Sequence, residues 1–157
     1  NTLQTSIYAK IKQPGDASTQ QFEAPGVSGQ AEMNGALLWG SNAATVGSWT
    51  VGSFGDRSVN ATSTTAVTPT VTVTAARSLV VSIAVERTSA AESNYTSLSG
   101  ATPWFWVPQN GATKIHTIAI GYTEQQTPGT SQAMTVTYPN AQTLNATAVQ
   151  VVIPPAS

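Results

Sequence analysis

The stretch 78-SLVVSIAVER-87 constrains this chain more than any other. Leu79, Val81, Ile83 and Val85 share one face of an extended strand, and Val80, Ser82, Ala84 and Glu86 share the other, because successive side chains of a strand point to opposite sides. Apolar residues on both faces predict a largely buried strand, the strongest in the chain.

Other stretches carry the same period of two. In 67-VTPTVTVT-74, Val71 and Val73 fall on one face and Thr70, Thr72 and Thr74 on the other, with Pro69 marking an edge or a strand start. Ala75-Ala76-Arg77 reads as a tight connection to the next strand. In 114-KIHTIAIGYTE-124, His116, Ile118, Ile120 and Tyr122 lie opposite Ile115, Thr117, Ala119 and Gly121. The connection 125-QQTPGTSQ-132 holds Pro128-Gly129, where proline presets φ and glycine supplies a positive one. The stretch 133-AMTVTYP-139 groups Met134, Val136 and Tyr138 and ends at Pro139, and Asn140 opens a short turn. Last, 144-LNATAVQVVI-153 turns Val149, Val151 and Ile153 inward and stops at Pro154-Pro155.

The first half is less regular. Residues 5-TSIYAKIK-12 alternate, Pro14-Gly15 is a turn, and 13–34 reads as an extended arm or a long loop. Short strands are expected at 35-GALLWG-40 and 48-SWTVGSF-54, and 55-GDRSVNATSTTA-66 reads as loop. The best helical candidate, 29-GQAEMNGALLWG-40, is interrupted by Gly35. The expectation is an all-β chain: one antiparallel β-sandwich domain over residues 1–157, of jelly-roll or Ig-like type. The absence of an exact internal repeat argues against a solenoid.

Charged residues make up 8 % of the 157, against about 25 % in ordinary soluble domains. The surface must therefore be mostly Thr, Ser, Asn, Gln and Gly, which suits extracellular or virion proteins that meet other surfaces. Net charge is −1 with no basic stripe, so no nucleic-acid partner is expected. The absence of cysteine excludes disulfides, thiolate metal sites and cysteine nucleophiles. No run of about 18 apolar residues is present, so no membrane span is expected, and no signal peptide is read.

Catalytic inventory is thin. Any Ser-His-Asp site must use His116, the one histidine, and the only aspartates, Asp16 and Asp56, lie in turn-like stretches. Gly52-Ser53-Phe54-Gly55 is not a nucleophile elbow. One histidine without cysteine does not make a transition-metal site, and Asp56 with Asn60 offers at most a weak calcium site. Glu86 and Glu92, with Arg87 between them, read as a solvated strand end rather than the facing carboxylates of a glycosidase. Phosphate-binding loops are absent. Asn60-Ala-Thr62, Asn94-Tyr-Thr96 and Asn145-Ala-Thr147 match the glycosylation acceptor pattern, as a Thr-rich chain does by chance. The expectation is a non-enzyme with no cofactor and no metal.

The candidate contact residues lie in 99-SGATPWFWVPQNG-111, where Trp104, Phe105 and Trp106 stand between Pro103 and Pro108. This stretch separates the two best strands, so it is a connection at a sandwich end or an added edge strand. Flanking prolines hold it extended and deny it ladder hydrogen bonds. A period of two puts Trp104 and Trp106 on one face and Phe105 on the other. The favoured reading is packing or protein–protein contact, with tryptophan as the anchor. The other reading is stacking on sugar rings by Trp104 and Trp106, with Tyr95 nearby.

The half of the chain from Ser78 to Ile153 resembles the β-sandwich modules of structural proteins in tailed bacteriophages, in tail appendages and on capsid surfaces. The elements that carry the likeness are Leu79–Val85, the Gly- and Trp-bearing Gly100–Trp106, Ile115–Tyr122, Pro128-Gly129, Met134–Tyr138 and Val149–Ile153. The N-terminal half departs from it. The resemblance implies a non-catalytic virion protein on a capsid surface or tail. With the neutral polar surface, it points to a capsid decoration or cement protein that binds the major capsid protein or another virion protein, as a homo-oligomer on the particle. The alternative is a tail, fibre or adhesin module that binds a surface glycan at the cell surface.

Overall fold

The structure is a computed structural model that describes residues 48–52, 55–57, 62–88, 97–110, 115–143 and 145–156. In chain order its strands are β1 (Thr50–Val51), β2 (Gly55–Arg57), β3 (Thr62–Val67), β4 (Thr72–Val73), β5 (Ser78–Thr88), β6 (Ser97–Ser99), β7 (Thr102–Asn110), β8 (Ile115–Gln125), β9 (Gly129–Thr130), β10 (Thr135–Thr143) and β11 (Asn145–Ile153). A six-stranded sheet runs in the order β1-β11-β5-β8-β7, with β2 also paired to β11. The second sheet, β3-β10-β6, has three strands, and β4 pairs with β9 in a small third one. Every pairing among the described residues is antiparallel. The described chain is all-β, consistent with an antiparallel sandwich.

The strand 78–88 is the centre of the large sheet. It pairs with β8 from Ser78↔Gln125 to Thr88↔Ile115 and with β11 from Leu79↔Ile153 to Arg87↔Asn145. Register then sorts the sheet into two unlike faces. One carries rows of small residues: Ala148–Ala84–Ala119, then Gln150–Ser82–Gly121. The other carries rows of large aliphatics, such as Val149–Ile83–Ile120 and, next to it, Val85–Ile118.

The second sheet packs on the small face. Ala66 of β3, Val136 of β10, Leu98 of β6 and Met134 join Ala84, Ala119 and Ala148 in one core cluster. Met134 is fully buried. A Cβ on Gly121 would lie 3.0 Å from the Met134 sulfur, so the large side chain fills the trough that the small row leaves. Val71, Val73, Val80 and Val152 continue this interior under β4.

Val149 and Val151 of β11 are buried, as an inward sense requires, but not on the side of the second sheet. Val149, Val151 and Ile153 belong to the large-aliphatic face, while Ala148, Gln150 and Val152 line the space between the sheets. Both faces of β11 are buried, so alternation alone could not tell which one meets the partner sheet.

Gln150 holds the two layers together where the ladders stop. Its amide is fully buried. Nε2 donates to Ser82 Oγ at 2.9 Å and to the Gln132 carbonyl at 2.7 Å, and Oε1 accepts from Ser131 Oγ. A carbonyl can only accept, so the Gln132 contact fixes which end of the amide is nitrogen. Ser131 Oγ in turn accepts from Val71 N–H at 2.8 Å, and Ser131 N–H donates to the Val71 carbonyl. One step along, Thr68 N–H donates to the Met134 carbonyl and Met134 N–H to Thr68 Oγ1 at 2.8 Å. The non-strand segments 68–71 and 131–134 thus satisfy one another through side chains where no ladder joins them.

Three further expectations change. The stretch 67–74 is not one strand: β3 ends at Val67, and β4 resumes after Pro69, which has no N–H to give a ladder. The stretch read as loop over 55–66 holds β2 and most of β3. The β-branched threonines of β3 suit a pleat without giving an apolar signature. Pro139 does not end β10, which runs to Thr143 and absorbs residues 138–141 as a register shift against β3. The Ala75–Arg77 connection is tight, with Arg77 at φ 57°. The expected strands at 5–12 and 35–40 and the arm at 13–34 lie outside the described residues.

The chain changes sheet between β6 and β7 at Gly100, whose φ is 80°. A Cβ there would overlap the Ala133 carbonyl oxygen. Gly100→Ala should lower stability by roughly 2–4 kcal/mol, through strain at a special backbone conformation. Gln150→Leu leaves the Ser131 hydroxyl and the Gln132 carbonyl without their partner. It should lower stability by about 3 kcal/mol in urea unfolding, and Ser82→Ala by about 1 kcal/mol.

Candidate functional site

The aromatic stretch is a strand, not a connection. β7 closes one end of the large sheet, and among the described residues no strand pairs with its outer side. Its inner side pairs with β8 from Thr102↔Tyr122 and Pro103↔Gly121 to Asn110↔Ile115.

A proline can sit in a paired strand only where its nitrogen faces away from the partner. Pro103 pairs with Gly121 and Pro108 with Thr117. Those partners are an even number of residues apart, so both prolines occupy the same outward-facing class. The prolines themselves are an odd number apart. One extra residue must therefore be accommodated between them, and the register shifts between Pro103 and Phe105. Trp104 is that residue.

The bulge overturns the expected alternation of the three aromatics. Phe105 takes the register position opposite Ile120 and Trp106 the position opposite Ala119, positions that belong to opposite faces of the sheet. Trp104 does not follow Trp106. Its ring meets Tyr122, whose register places it on the large-aliphatic face. The two rings meet edge-on, at 5.4 Å between centroids and 71° between planes, a favoured aromatic geometry. Trp104 remains 42 % exposed, and Thr102 and Pro103 beside it are exposed too. The site is one braced, solvent-facing indole at a sheet edge.

The rim itself is poor in donors. Pro103, Trp106, Pro108 and Asn110 fall in the outward-facing class, and the two prolines have no N–H. Such a rim is a poor template for strand addition, which leaves side chains to make the contact.

Other candidates of the sequence reading are scattered. Tyr95, Asp16, Asn60 and Glu92 lie outside the described residues. The His116 backbone pairs with Arg87 on one side and Gln109 on the other. Asp56, expected in a turn, is in β2 opposite Thr147, and Glu86 is in β5 opposite Thr117 and Ala146. Among the described residues, no three His, Asp or Glu gather into a metal-holding group. Glu124 accepts a long bond from Gln126 Nε2, at 3.4 Å. Among the described residues, the buried Thr117 hydroxyl has no hydrogen-bond partner.

Sequence reasoning does not find the bracing role of Tyr122. It lies far from Trp104 along the chain, and only the pairing of β7 with β8 brings Thr102 opposite Tyr122 and the indole against its ring. The bulge does leave a trace in the sequence, in the odd spacing of Pro103 and Pro108.

Comparison with known protein families, with curated proteins and with solved structures finds no match to this chain.

Replacing both Pro103 and Pro108 with threonine restores two outward N–H groups while keeping an extended strand. The doubly substituted protein should fold with the same circular dichroism spectrum and self-associate at lower concentration in analytical ultracentrifugation than the parent. Equal self-association would show that the prolines do not guard this rim.

Proposed function

We propose that this chain is a non-enzymatic structural protein of a virion, a capsid decoration or cement protein that binds the major capsid protein or another virion protein and stabilises the shell. The observation that carries the reading is Trp104: an indole 42 % exposed on an edge strand, held in place by Tyr122. An aromatic already fixed by a neighbour loses little freedom when a partner covers it, which favours it as an anchor. The sparse charge of the chain fits a contact made by shape and apolar burial rather than by steering. Binding to the assembled shell adds stability by mass action.

The test uses capsids of the parent virus that lack this protein. Added protein should co-sediment with them to saturation and raise their melting temperature. Trp104→Ala should weaken that binding by about tenfold or more, as removal of an interface anchor does, while changing the stability of the free protein by about 1 kcal/mol. Capsids that neither bind the protein nor gain heat resistance would end the proposal.

A second reading is a tail, fibre or adhesin module that binds carbohydrate at a cell surface. The braced, exposed ring of Trp104 favours it, since sugar rings stack on such faces. The register works against a platform of two tryptophans, because Trp106 takes a position on the opposite face. Quenching of tryptophan fluorescence by a polysaccharide, lost in Trp104→Ala, would support this reading over the first.

A further inference from the structure

The ring of Trp104 rests against Tyr122, and the next side chain on the same face of β8 is Glu124. Residues two apart on a strand share a face and stand about 7 Å from one another. Val81 lies opposite Tyr122 and Leu79 opposite Glu124, so an apolar floor runs beside the carboxylate. Trp104 and Glu124 are both exposed, and Tyr122 is half-buried.

Glu124 stands without a counter-charge. Its contact is the long bond from Gln126 Nε2, and among the described residues no cation pairs with it. Arg77 is exposed in the turn that precedes β5, yet its guanidinium forms no ion pair with this carboxylate. In a chain with seven acidic residues in all, an unpaired carboxylate next to an exposed aromatic pair is a distinct chemical feature.

We propose that Trp104, Tyr122 and Glu124 together receive an arginine side chain of a protein partner. A guanidinium stacks by its plane on an aromatic ring and bonds a carboxylate with its edge, two contacts that a lysine ammonium does not combine. The π-face of an indole is the strongest aromatic partner for such a cation. The methylene stem of the arginine would lie along Leu79, as long cationic side chains do over apolar surface. The angle of 71° between the two rings makes a corner rather than a level platform, so the flat face of a sugar ring could rest on one ring at most. A single short-range pair of this kind also suits a surface too sparsely charged to steer a partner from afar. The inference deepens the reading of Trp104 as a contact residue and rests on it, but the chemistry of the site can be tested without any capsid.

The first measurement titrates nitrogen-15-labelled full-length protein with N-acetyl-arginine amide at constant ionic strength and follows the indole N–H signal of Trp104. N-acetyl-citrulline amide, which has nearly the same shape without the charge, and methyl glucoside serve as parallel probes. The arginine probe should shift the signal and the other two should not. Glu124→Gln changes one exposed side chain, so the protein should keep its melting temperature while its apparent affinity for the arginine probe falls about fivefold or more. No shift with arginine, an equal shift with citrulline, a shift with methyl glucoside alone, or an unchanged affinity in Glu124→Gln would each overturn the proposal. The second measurement compares binding of the parent protein and Glu124→Gln to the capsids that lack this protein. Weaker binding of the variant would support the arginine contact. Equal binding of both would overturn it as the partner's chemistry while leaving the decoration reading in place. Capsids that bind neither protein would end the decoration reading, and the titration alone would then decide what the site accepts.

Discussion

The buried amide of Gln150 is the contact on which the arrangement of the two sheets depends. An amide in an apolar interior is tolerated only when its donors and acceptor are matched, and here Ser82, Ser131 and the Gln132 carbonyl match them. The match ties β11 and β5 of one sheet to the segment that precedes β10 in the other. It also fixes how far apart the layers sit, because hydrogen bonds hold over a far narrower range of distance than apolar contact does. The small residues around it, Ala84, Ala119, Ala148 and Gly121, keep the space in which that distance can be met.

The exposed site follows from this interior. With the second sheet drawn close, Met134 lies against Gly121, and the chain crosses between sheets through Gly100 and Ala101 beside them. That crossing delivers β7 to the outside of β8 rather than to the second sheet. Two prolines and a bulge then turn Trp104 toward Tyr122 and solvent. The contact residue and the core glycine are thus parts of one geometry.

Short apolar runs rich in β-branched residues make β5, β8 and β11 legible in the sequence, because Val, Ile and Thr suit the pleat and the runs are bounded by turn signals. The same property hides the inward sense: when both faces are apolar, the pattern does not say which meets the partner sheet. The short β2 and the Thr-rich β3 are hidden for the opposite reason, having no apolar face to read. Gln150, alone among Val149, Val151 and Val152, is a visible anomaly, but its partners are distant in the chain and carry no local signal. At the site, an edge strand is one of two outcomes the sequence allows, and the bulge is encoded in the spacing of Pro103 and Pro108.

Pairing on both edges gives the central strand a particular place in the dynamics of the described sheets. β5 has paired neighbours on both sides, and Val80, Val81, Ser82 and Ala84 in its middle are buried, so local opening does not free the amides there. Its hydrogen exchange must proceed through loss of the whole sheet, whereas the short strands β4 and β9 can open by themselves. Among the described strands, β5 is therefore the last to open and the two-residue pair of β4 and β9 the first.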